Sequence, residues 1–356
     1  MSYSLNRKIS GLTPYEPLSG EYRVRLDANE SFYSLPDELL KKIGETVKGV
    51  AFNRYPDPYA SQLCDAFAGF YGISPDFLTA GNGSDELINI IVTAFSLKGE
   101  PCYSFSQDFS MYCFYGELAE CERVLLPKRD DLTIDIDEVI RRVNRSSTGM
   151  LLFSNPCNPT SLGLSREEVR RLIRSVSCLV VLDEAYMDFW DQSLLLEAGD
   201  YDNLIILKTC SKAFGMAGIR LGFAVANPVI TNALRAVKSP YNVNSVTQKV
   251  GTVVLKEQKL LHERTNALIQ SRKELENELL TLAAQYPVLE TVYPSVTNFV
   301  FIKAAKAKKI SEKLKEHSVA IRCFDGYLRI TAGSKGENQI LIKELTEVLK
   351  EAVQCV

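Results

Sequence analysis

Histidine is scarce in this sequence, which contains only two, His262 and His317, among 356 residues. Both lie in charged segments near the C-terminus that are typical of exposed helices. This scarcity disfavours histidine-rich zinc sites and Ser-His-Asp triads, and no metal is expected. An enzyme with this sequence therefore needs lysine, tyrosine, aspartate or a cofactor as its proton carrier.

The sequence also lacks a basic surplus, a long apolar run and a paired-cysteine motif. Its 41 Lys and Arg against 44 Asp and Glu give a net charge of −3, which disfavours nucleic acid or an anionic membrane as partner. No apolar stretch reaches the ~20 residues that span a bilayer, and the N-terminus lacks a signal peptide's apolar core. None of the nine cysteines forms a CxxC pair, so we expect reduced, mostly structural thiols in a cytoplasmic protein.

Short apolar runs alternate with helical patterns between residues 102 and 226. Because these runs lack strict polar and apolar alternation, they predict strands buried on both faces. The runs are CYSFS, RVLLP, GMLLFSN, CLVVLDEAY, NLIILKT and LGFAVAN. The sequence therefore predicts an α/β fold, a mainly parallel sheet flanked by helices.

The pattern changes after Pro228. A long charged helical stretch over residues 245–285 precedes three short β-rich segments and a final amphipathic helix, which together predict a smaller α+β domain. The first thirty residues show no strong period and are interrupted by proline and glycine, as in an arm. We predict an N-terminal arm over residues 1–30, a large domain over 31–240 and a small domain over 241–356.

The first cluster with chemical potential is a glycine-rich segment, AGNGSDE, before a helix. We expect Ser84 or Asp85 to cap this helix, and free N–H groups at a helix start suit an anion such as phosphate. A glycine-rich turn with a Ser or Asp cap also begins ordinary helices. Glu86 stands where a dinucleotide fingerprint would have its last glycine, which disfavours a nucleotide-dependent dehydrogenase.

Two more clusters follow predicted strands. The segment SNPCNPT places Asn158 at the carboxyl end of a strand, where α/β sheets bind ligands; an ordinary Asn-Pro turn is the alternative. Asp183 and Glu184 end an apolar strand, with Tyr186 close behind. A buried carboxylate needs a cationic partner, unless loop amides or a helix cap hold it.

The fourth cluster surrounds Lys212, which follows a predicted buried strand. A partly desolvated lysine has a lowered pKa and attacks carbonyls to form a Schiff base; a surface loop lysine is the alternative. Thr209, Ser211 and Arg220 could reach one phosphate. Taken together, the four clusters offer a phosphate cradle, a carboxylate for a protonated ring nitrogen and an amine for an aldehyde, which pyridoxal phosphate requires.

The motifs NPxNPT, DEAY, SKAFGMAGIRLGF and LRITAG occur in this order across nearly the whole chain. They resemble the fold-type-I aminotransferases, and TPYEP, LDANES, NRYPDP and GNGSDE resemble the histidinol-phosphate aminotransferase branch. The resemblance implies a homodimer that transfers an amino group between histidinol phosphate and 2-oxoglutarate in histidine biosynthesis. An aromatic-amino-acid aminotransferase or a threonine-phosphate decarboxylase of the same fold is the alternative, and a non-catalytic pyridoxal-binding regulator is a third.

The same resemblance implies roles for individual residues. Lys212 would bind the cofactor covalently and transfer protons, and Asp183 would pair with the ring nitrogen. Asn158 and Tyr186 would hydrogen-bond the phenolic oxygen. The phosphate would be held by Ser84, Asp85, Thr209, Ser211, Arg220 and, from the neighbouring subunit, Tyr55. Phe109 would stack on the ring, with core packing as the alternative, and the substrate would meet Arg322, Arg329, Asn29 and Tyr15.

Two segments depart from the family pattern. The loop NPNNPTG is NPCNPTS here, with Cys157 and Ser161 in place of an asparagine and a glycine. The segment LDANESFYS differs from the family's NENPYG. The first departure leaves Asn158 in place, and the second bears on the geometry of the substrate side.

Overall fold

Two β-sheets with packed helices form the protein, seen in a computed structural model that describes residues 3–14, 16 and 18–354. The strands are β1 (Val24–Leu26), β2 (Leu78–Gly81), β3 (Pro101–Phe105), β4 (Glu122–Leu126), β5 (Met150–Ser154), β6 (Leu179–Asp183), β7 (Leu204–Thr209), β8 (Gly222–Ala226), β9 (Leu289–Val292), β10 (Phe299–Ala304), β11 (Val319–Phe324) and β12 (Tyr327–Thr331). The helices are α1 (Asp37–Lys48), α2 (Ser61–Tyr71), α3 (Ser84–Phe95), α4 (Met111–Leu118), α5 (Ile136–Val143), α6 (Arg166–Ser175), α7 (Pro228–Val237), α8 (Ser245–Leu255), α9 (Gln258–Gln285), α10 (Ala307–Glu316) and α11 (Lys335–Gln354).

The larger sheet has the strand order β2-β8-β7-β6-β5-β3-β4. Strands β4, β3, β5, β6 and β7 pair in parallel, while β8 runs antiparallel to both β7 and β2. Six of these seven strands therefore share one direction, which confirms the predicted mainly parallel sheet. The six apolar runs are strands β3 to β8, and every residue of β5, β7 and β8 is buried, as uninterrupted apolar runs require. The predicted burial on both faces is wrong for β4, which lies at the edge of the sheet and has only Leu126 buried among its five residues.

Side-chain caps fix the starts of two helices on this sheet. The Asp135 carboxylate accepts the N–H of Glu138 at the start of α5, at 3.1 Å. At the start of α6, Ser165 Oγ accepts the N–H of Glu168 at 3.3 Å, and Glu168 Oε2 accepts the N–H of Ser165 at 2.7 Å. This reciprocal pair is a capping box, whose Ser-x-x-Glu pattern is visible in the sequence.

The smaller sheet has the order β1-β11-β12-β10-β9, with β1 parallel to β11 and the other pairs antiparallel. Its edge strand β1 comes from the segment that we predict to be an arm. Val24 and Leu26 are buried in the core of this sheet, so the N-terminal segment packs against the C-terminal part of the chain. The division of the chain at residues 30 and 240 stays a prediction.

Helix α9 connects the two hydrophobic cores. Leu261 and Leu268 pack into the core beneath the larger sheet, whereas Leu275 and Leu279 pack into the core of the smaller sheet. One apolar stripe along this 28-residue helix therefore serves both cores. Within the described part of the chain, none of the helices has the length and apolar character needed to cross a membrane.

The carboxyl ends of three parallel strands meet at one edge of the larger sheet. Ser154 at the end of β5 is in register with Asp183 at the end of β6, and Thr209 at the end of β7 is in register with Gly222. A Cβ added at Gly222 would lie 2.4 Å from the backbone nitrogen of Ser84. This close approach brings the first turn of α3 to the same edge, where such sheets bind ligands.

Candidate active site

Lys212 lies just after β7, where its half-buried amine faces the N-terminal segment. Its Nζ donates a hydrogen bond to the carbonyl oxygen of Ala28 at 2.9 Å. Burial, and then the nearby charge of Arg329, lower the pKa of this amine from the ordinary 10.5 to about 8. A larger fraction of the amine is therefore neutral near pH 7 than for an exposed lysine, and only the neutral form is a nucleophile.

Asp183 ends β6 and is only 4% exposed. Its Oδ2 accepts a hydrogen bond from the Tyr112 hydroxyl at 2.8 Å, and its Oδ1 accepts one from the N–H of Ala185 at 3.0 Å. Burial raises the pKa of this carboxyl to about 6. A cation placed beside the carboxylate would offset the burial and hold it ionised.

Tyr186 and Asn158 face the N-terminal segment and the smaller sheet. The Tyr186 hydroxyl accepts a hydrogen bond from Asn29 Nδ2 at 2.9 Å, and burial raises the pKa of this tyrosine. Asn158 Oδ1 accepts a hydrogen bond from Arg329 Nη1. The Lys212 amine lies 5.9 Å from the centre of the Tyr186 ring. The structure thus brings residues from both sheets around Lys212.

A cluster of groups suited to phosphate lies at the start of α3. The residue that caps this helix is Gly83, with a φ of 87°, and not Ser84 or Asp85 as predicted. A Cβ at Gly83 would lie 2.6 Å from Arg220 Nη2. The Thr209 hydroxyl donates to Ser211 Oγ at 3.1 Å. First-turn N–H groups, which no helix carbonyl satisfies, and a guanidinium then face the same space. The side chain of Asp85 turns aside to accept the Tyr115 hydroxyl at 2.9 Å.

Phe109 is half-buried and packs edge to face on Tyr112, with ring centres 5.5 Å apart and planes at 82°. Since Tyr112 holds Asp183, this contact places Phe109 beside the strand-end carboxylate. This position agrees with both predictions for Phe109, stacking on the cofactor ring and packing in the core.

The two predicted substrate arginines are register partners on β11 and β12. Directly opposite residues of an antiparallel pair project from the same face, so Arg322 and Arg329 point to one side of the smaller sheet. Arg329 is 8% exposed, and its Nη2 donates to the carbonyl oxygen of Asp27 at 2.6 Å. Its guanidinium lies 5.4 Å from the ring centre of Phe299. Arg322 is half-buried.

The remaining predicted residues lie in different surroundings. Asn29, with a φ of 53°, is buried and accepts the Thr331 hydroxyl at 3.0 Å. Tyr55 is 80% exposed and stacks on Tyr241, with ring centres 4.5 Å apart. Tyr15 lies outside the described residues. Tyr55 therefore belongs to the surface of the chain.

Sequence reasoning missed a buried charged network behind the strand ends. Lys208 Nζ donates to Asp188 Oδ1 at 2.9 Å, and the Tyr71 hydroxyl donates to the same oxygen at 2.6 Å. Close by, burial raises the pKa of Glu184, whose carboxylate accepts the Ser193 hydroxyl at 2.6 Å. The available signal was the single lysine inside the apolar strand NLIILKT, because a charge buried in a sheet needs a partner.

Sequence reasoning also missed Tyr112 and Asp108, which lie on either side of the predicted ring residue. Tyr112 is 1% exposed and bonds to Asp183. Asp108 accepts hydrogen bonds from Ser154. Their nearness to Phe109 in the segment SQDFSMY was the only signal, since nothing in that pattern shows which strand ends these side chains reach.

Residues 23–345 match the sequence profile of the family aminotransferase class I and II. The chain is 36% identical over 351 residues to a Clostridium kluyveri protein named histidinol-phosphate aminotransferase, covering 97% of this chain and 98% of the relative. A protein of the same name from Thermoanaerobacter sp. strain X514 is 38% identical over 351 residues, covering 97% of this chain and 98% of the relative. The crystal structure of histidinol-phosphate aminotransferase from Sinorhizobium meliloti in complex with pyridoxal-5'-phosphate has the same fold, with a TM-score of 0.88, 24% identity and 99% of both chains covered.

Proposed function

This chain belongs to the class I and II aminotransferase family, and from that premise we propose that it exchanges an amino group between histidinol phosphate and 2-oxoglutarate. The products would be imidazole acetol phosphate and glutamate, within histidine biosynthesis, and the cofactor would be pyridoxal phosphate. The observation that carries the proposal is the meeting of the Lys212 amine, the Asp183 carboxylate and the Arg329 guanidinium around one space. The names of the relatives support this choice of substrate.

The residues around that space fit the cofactor by the chemistry of their donors. Ser84, Asp85, Thr209, Ser211 and Arg220 would hold its phosphate, and Asp183 would pair with its protonated ring nitrogen. A buried carboxylate with a raised pKa is what such a cation would stabilise. When bound, pyridoxal phosphate supplies an electron sink for negative charge at the carbon that carries the amino group.

Lys212 would be the group that transfers protons during the reaction. Its amine would take the role that histidine has in many enzymes, and its lowered pKa would let it both accept and return a proton near neutral pH. Tyr186 and Asn158 would hydrogen-bond the cofactor's phenolic oxygen and so orient the ring. Phe109 would cover one face of that ring and exclude water from it.

The smaller sheet would supply the substrate contacts. Arg322 and Arg329 project from one face of that sheet, and a guanidinium binds carboxylate or phosphate with two parallel hydrogen bonds. The two arginines would therefore receive a carboxylate of 2-oxoglutarate and the phosphate of histidinol phosphate. Asn29 would support this side through its bond to Tyr186, and Tyr15 is assigned to it by resemblance.

We further propose a homodimer in which Tyr55 reaches the phosphate of the neighbouring subunit's cofactor. Phe52, Tyr55 and Tyr59 are 76%, 80% and 61% exposed, which is unusual for three aromatic side chains within eight residues of a monomer's surface. Sedimentation of the purified protein tests this state. A monomer at the concentrations used for activity would contradict it.

The decisive experiment for the reaction is a donor screen on one preparation. Purified protein with bound pyridoxal phosphate is incubated with 2-oxoglutarate and either histidinol phosphate, phenylalanine or threonine phosphate. We expect glutamate to form fastest from histidinol phosphate. Faster glutamate formation from phenylalanine would favour the aromatic aminotransferase, and carbon dioxide release from threonine phosphate would favour the decarboxylase. No glutamate from histidinol phosphate would refute the proposal.

A further inference from the structure

Asp108 lies in the loop after β3 and reaches the end of β5, the neighbouring strand. Its Oδ1 accepts hydrogen bonds from the Ser154 hydroxyl and, at 2.7 Å, from the N–H of Phe109. Its Oδ2 accepts the N–H of Ser154 at 3.3 Å. One carboxylate thus holds three donors, and it links the carboxyl ends of two strands of the larger sheet.

Ser154 connects Asp108 to the loop that follows β5. Its Oγ accepts the N–H of Asn158 at 3.1 Å while donating its own proton to Asp108. The Asn158 side chain in turn accepts from Arg329. A continuous chain of hydrogen bonds therefore joins Asp108 to the residue that we assign to the phenolic oxygen, and from there to the substrate arginine.

The charge of Asp108 has a local counterpart. Burial raises its pKa, while the Lys128 ammonium acts in the opposite direction. Lys128 is anchored by donating to the carbonyl oxygen of Gln107 at 3.0 Å. Besides burial, the charge of Asp108 also acts on Asp183 and Tyr112 and raises the pKa of both. Asp108 is therefore bonded within its own loop and to the neighbouring strand β5.

We propose that Asp108 is a positioning residue of the cofactor site, which aligns Phe109 with the face of the cofactor ring and Asn158 with its phenolic edge. It does so through two contacts. One is its own hydrogen bond to the Phe109 N–H, and the other is its hydrogen bond to Ser154, which in turn holds the Asn158 N–H. The inference rests on the proposed function for the identity of the cofactor. Asp108 would not contact the cofactor itself, but it would position Phe109 and Asn158, which we assign to the cofactor.

The test compares Asp108→Ala with Asp135→Ala in the protein carrying pyridoxal phosphate. Asp135 is a matched control, since it also accepts a backbone N–H and has a cationic neighbour, Arg129, but it caps α5 and is exposed. Three quantities are measured without substrate: the dissociation constant of the cofactor, the pH midpoint of its visible absorbance change, and the thermal midpoint.

We expect Asp108→Ala to raise the cofactor's dissociation constant about tenfold, the change that one hydrogen bond to a charged group produces. The absorbance midpoint should move to higher pH by up to about one unit. The reason is that a less firmly held Asn158 leaves more negative charge on the cofactor's phenolic oxygen. That charge holds the proton on the neighbouring nitrogen more tightly, so a higher pH is needed to remove it. Asp135→Ala should lower only the thermal midpoint.

Two further variants keep the test decisive if Asp108→Ala does not fold. Asp108→Asn retains one oxygen acceptor and should recover most of the cofactor affinity. Ser154→Ala removes the hydrogen bond to the Asn158 N–H but leaves the bond from the Phe109 N–H to Asp108. It should therefore move the absorbance midpoint with a smaller loss of cofactor affinity. Dissociation constants within twofold of the wild type, together with unshifted absorbance midpoints, in all the folded variants would overturn the proposal, because Asp108 would then stabilise only the fold.

The outcome is separable from that of the donor screen. These three measurements use the cofactor alone, so they decide the role of Asp108 even if histidinol phosphate proves not to be the donor. Conversely, glutamate formation from histidinol phosphate by the wild type would stand even if every Asp108 variant bound the cofactor normally.

Discussion

The larger and smaller sheets contribute to the same site in different ways. On the larger sheet, Ser154, Asp183 and Thr209 each end a buried strand, so the ladder of backbone hydrogen bonds fixes their positions. On the smaller sheet, Arg322 and Arg329 lie within β11 and β12 and reach the site by the length of their side chains. One side of the site is thus set by backbone and the other by long side chains.

The contacts that join the two sides span long distances along the chain. Arg329 and Asn158 are 171 residues apart, and Asn29 and Tyr186 are 157 apart. Each of these bonds depends on how the small sheet and the N-terminal segment dock on the larger sheet. We therefore expect changes on the larger sheet to affect cofactor binding and stability, and changes on the smaller sheet to affect substrate binding.

The largest effect is expected from Lys212→Ala on the larger-sheet side. Loss of the amine removes both the covalent attachment and the proton carrier, and we expect kcat to fall at least about a thousandfold. The phosphate cradle and Asp183 remain, so the cofactor should still bind, with an altered visible spectrum. Steady-state rates and absorbance spectra measure both.

Lys212→Arg serves as the companion variant. It keeps a positive charge near Asp183 but no amine that can lose its proton, since the guanidinium pKa is far too high. It should be as inactive as Lys212→Ala. Activity within tenfold of the wild type in either variant would show that another group moves the proton.

Much of the larger sheet could be predicted from sequence, because its signal is local. Each apolar run between residues 102 and 226 became a strand, and the polar clusters after those runs lie at the strand ends. Lys212, Asp183 and Asn158 are therefore found within a few residues of readable patterns. Burial on both faces leaves little alternative for the runs that form β3 and β5 to β8, whereas β4 is largely exposed at the edge of the sheet.

The rest could not be predicted, since it depends on pairing over long separations. Strand β1 has three residues and pairs with β11, nearly three hundred positions later. Nothing in a three-residue run selects that partner. The bonds of Lys208 to Asp188 and of Asp108 to Ser154 are hidden for the same reason: periodicity shows that a residue is buried, but not which side chain meets it.

The buried network around Lys208 should affect the stability of the larger sheet. Lys208→Met would leave Asp188 and Glu184 without their cation, where Lys208 is 2% exposed. Breaking a buried ion pair on one side costs about 3–5 kcal/mol of unfolding free energy. Denaturant unfolding measures that loss, and the KM for the amino donor should stay within a few-fold of the wild type.

A double variant tells whether the charge or the packing matters. Lys208→Met with Asp188→Leu removes both charges, so it should recover much of the lost unfolding free energy. An equal or larger loss in the double variant would mean that the side chains stabilise the sheet by their shape and their bonds to Tyr71.

Arg329→Lys is the corresponding change on the smaller-sheet side. Lysine keeps the charge but loses the two-pronged geometry, and one hydrogen bond between charged groups contributes about 1.5–3 kcal/mol. We expect kcat/KM for 2-oxoglutarate to fall roughly 10- to 100-fold, while the cofactor's dissociation constant changes little. Arg322→Lys, at a half-buried position, should cost less. If Arg329→Lys weakened the cofactor as much as the substrate, the proposed separation of the two sides would fail.

The smallest expected effect is a pH dependence, and it shows which side sets the reactivity of Lys212. Its pKa of about 8 lies below the ordinary 10.5, so the neutral amine rises about tenfold between pH 7 and 9 and then levels off. Uptake of pyridoxal phosphate by the cofactor-free protein should follow this curve. Below about pH 6, protonation of Asp183 should slow uptake further.

Burial on the larger sheet depresses the Lys212 pKa most, and the charge of Arg329 comes second. Replacing the arginine in Arg329→Met therefore removes only the smaller cause and should move the plateau of uptake upward by less than about one pH unit. The rate at pH 7 would then fall by less than tenfold. A plateau near the ordinary lysine value in this variant would reverse the ranking, since the reactivity of the lysine would then be controlled mainly from the smaller sheet.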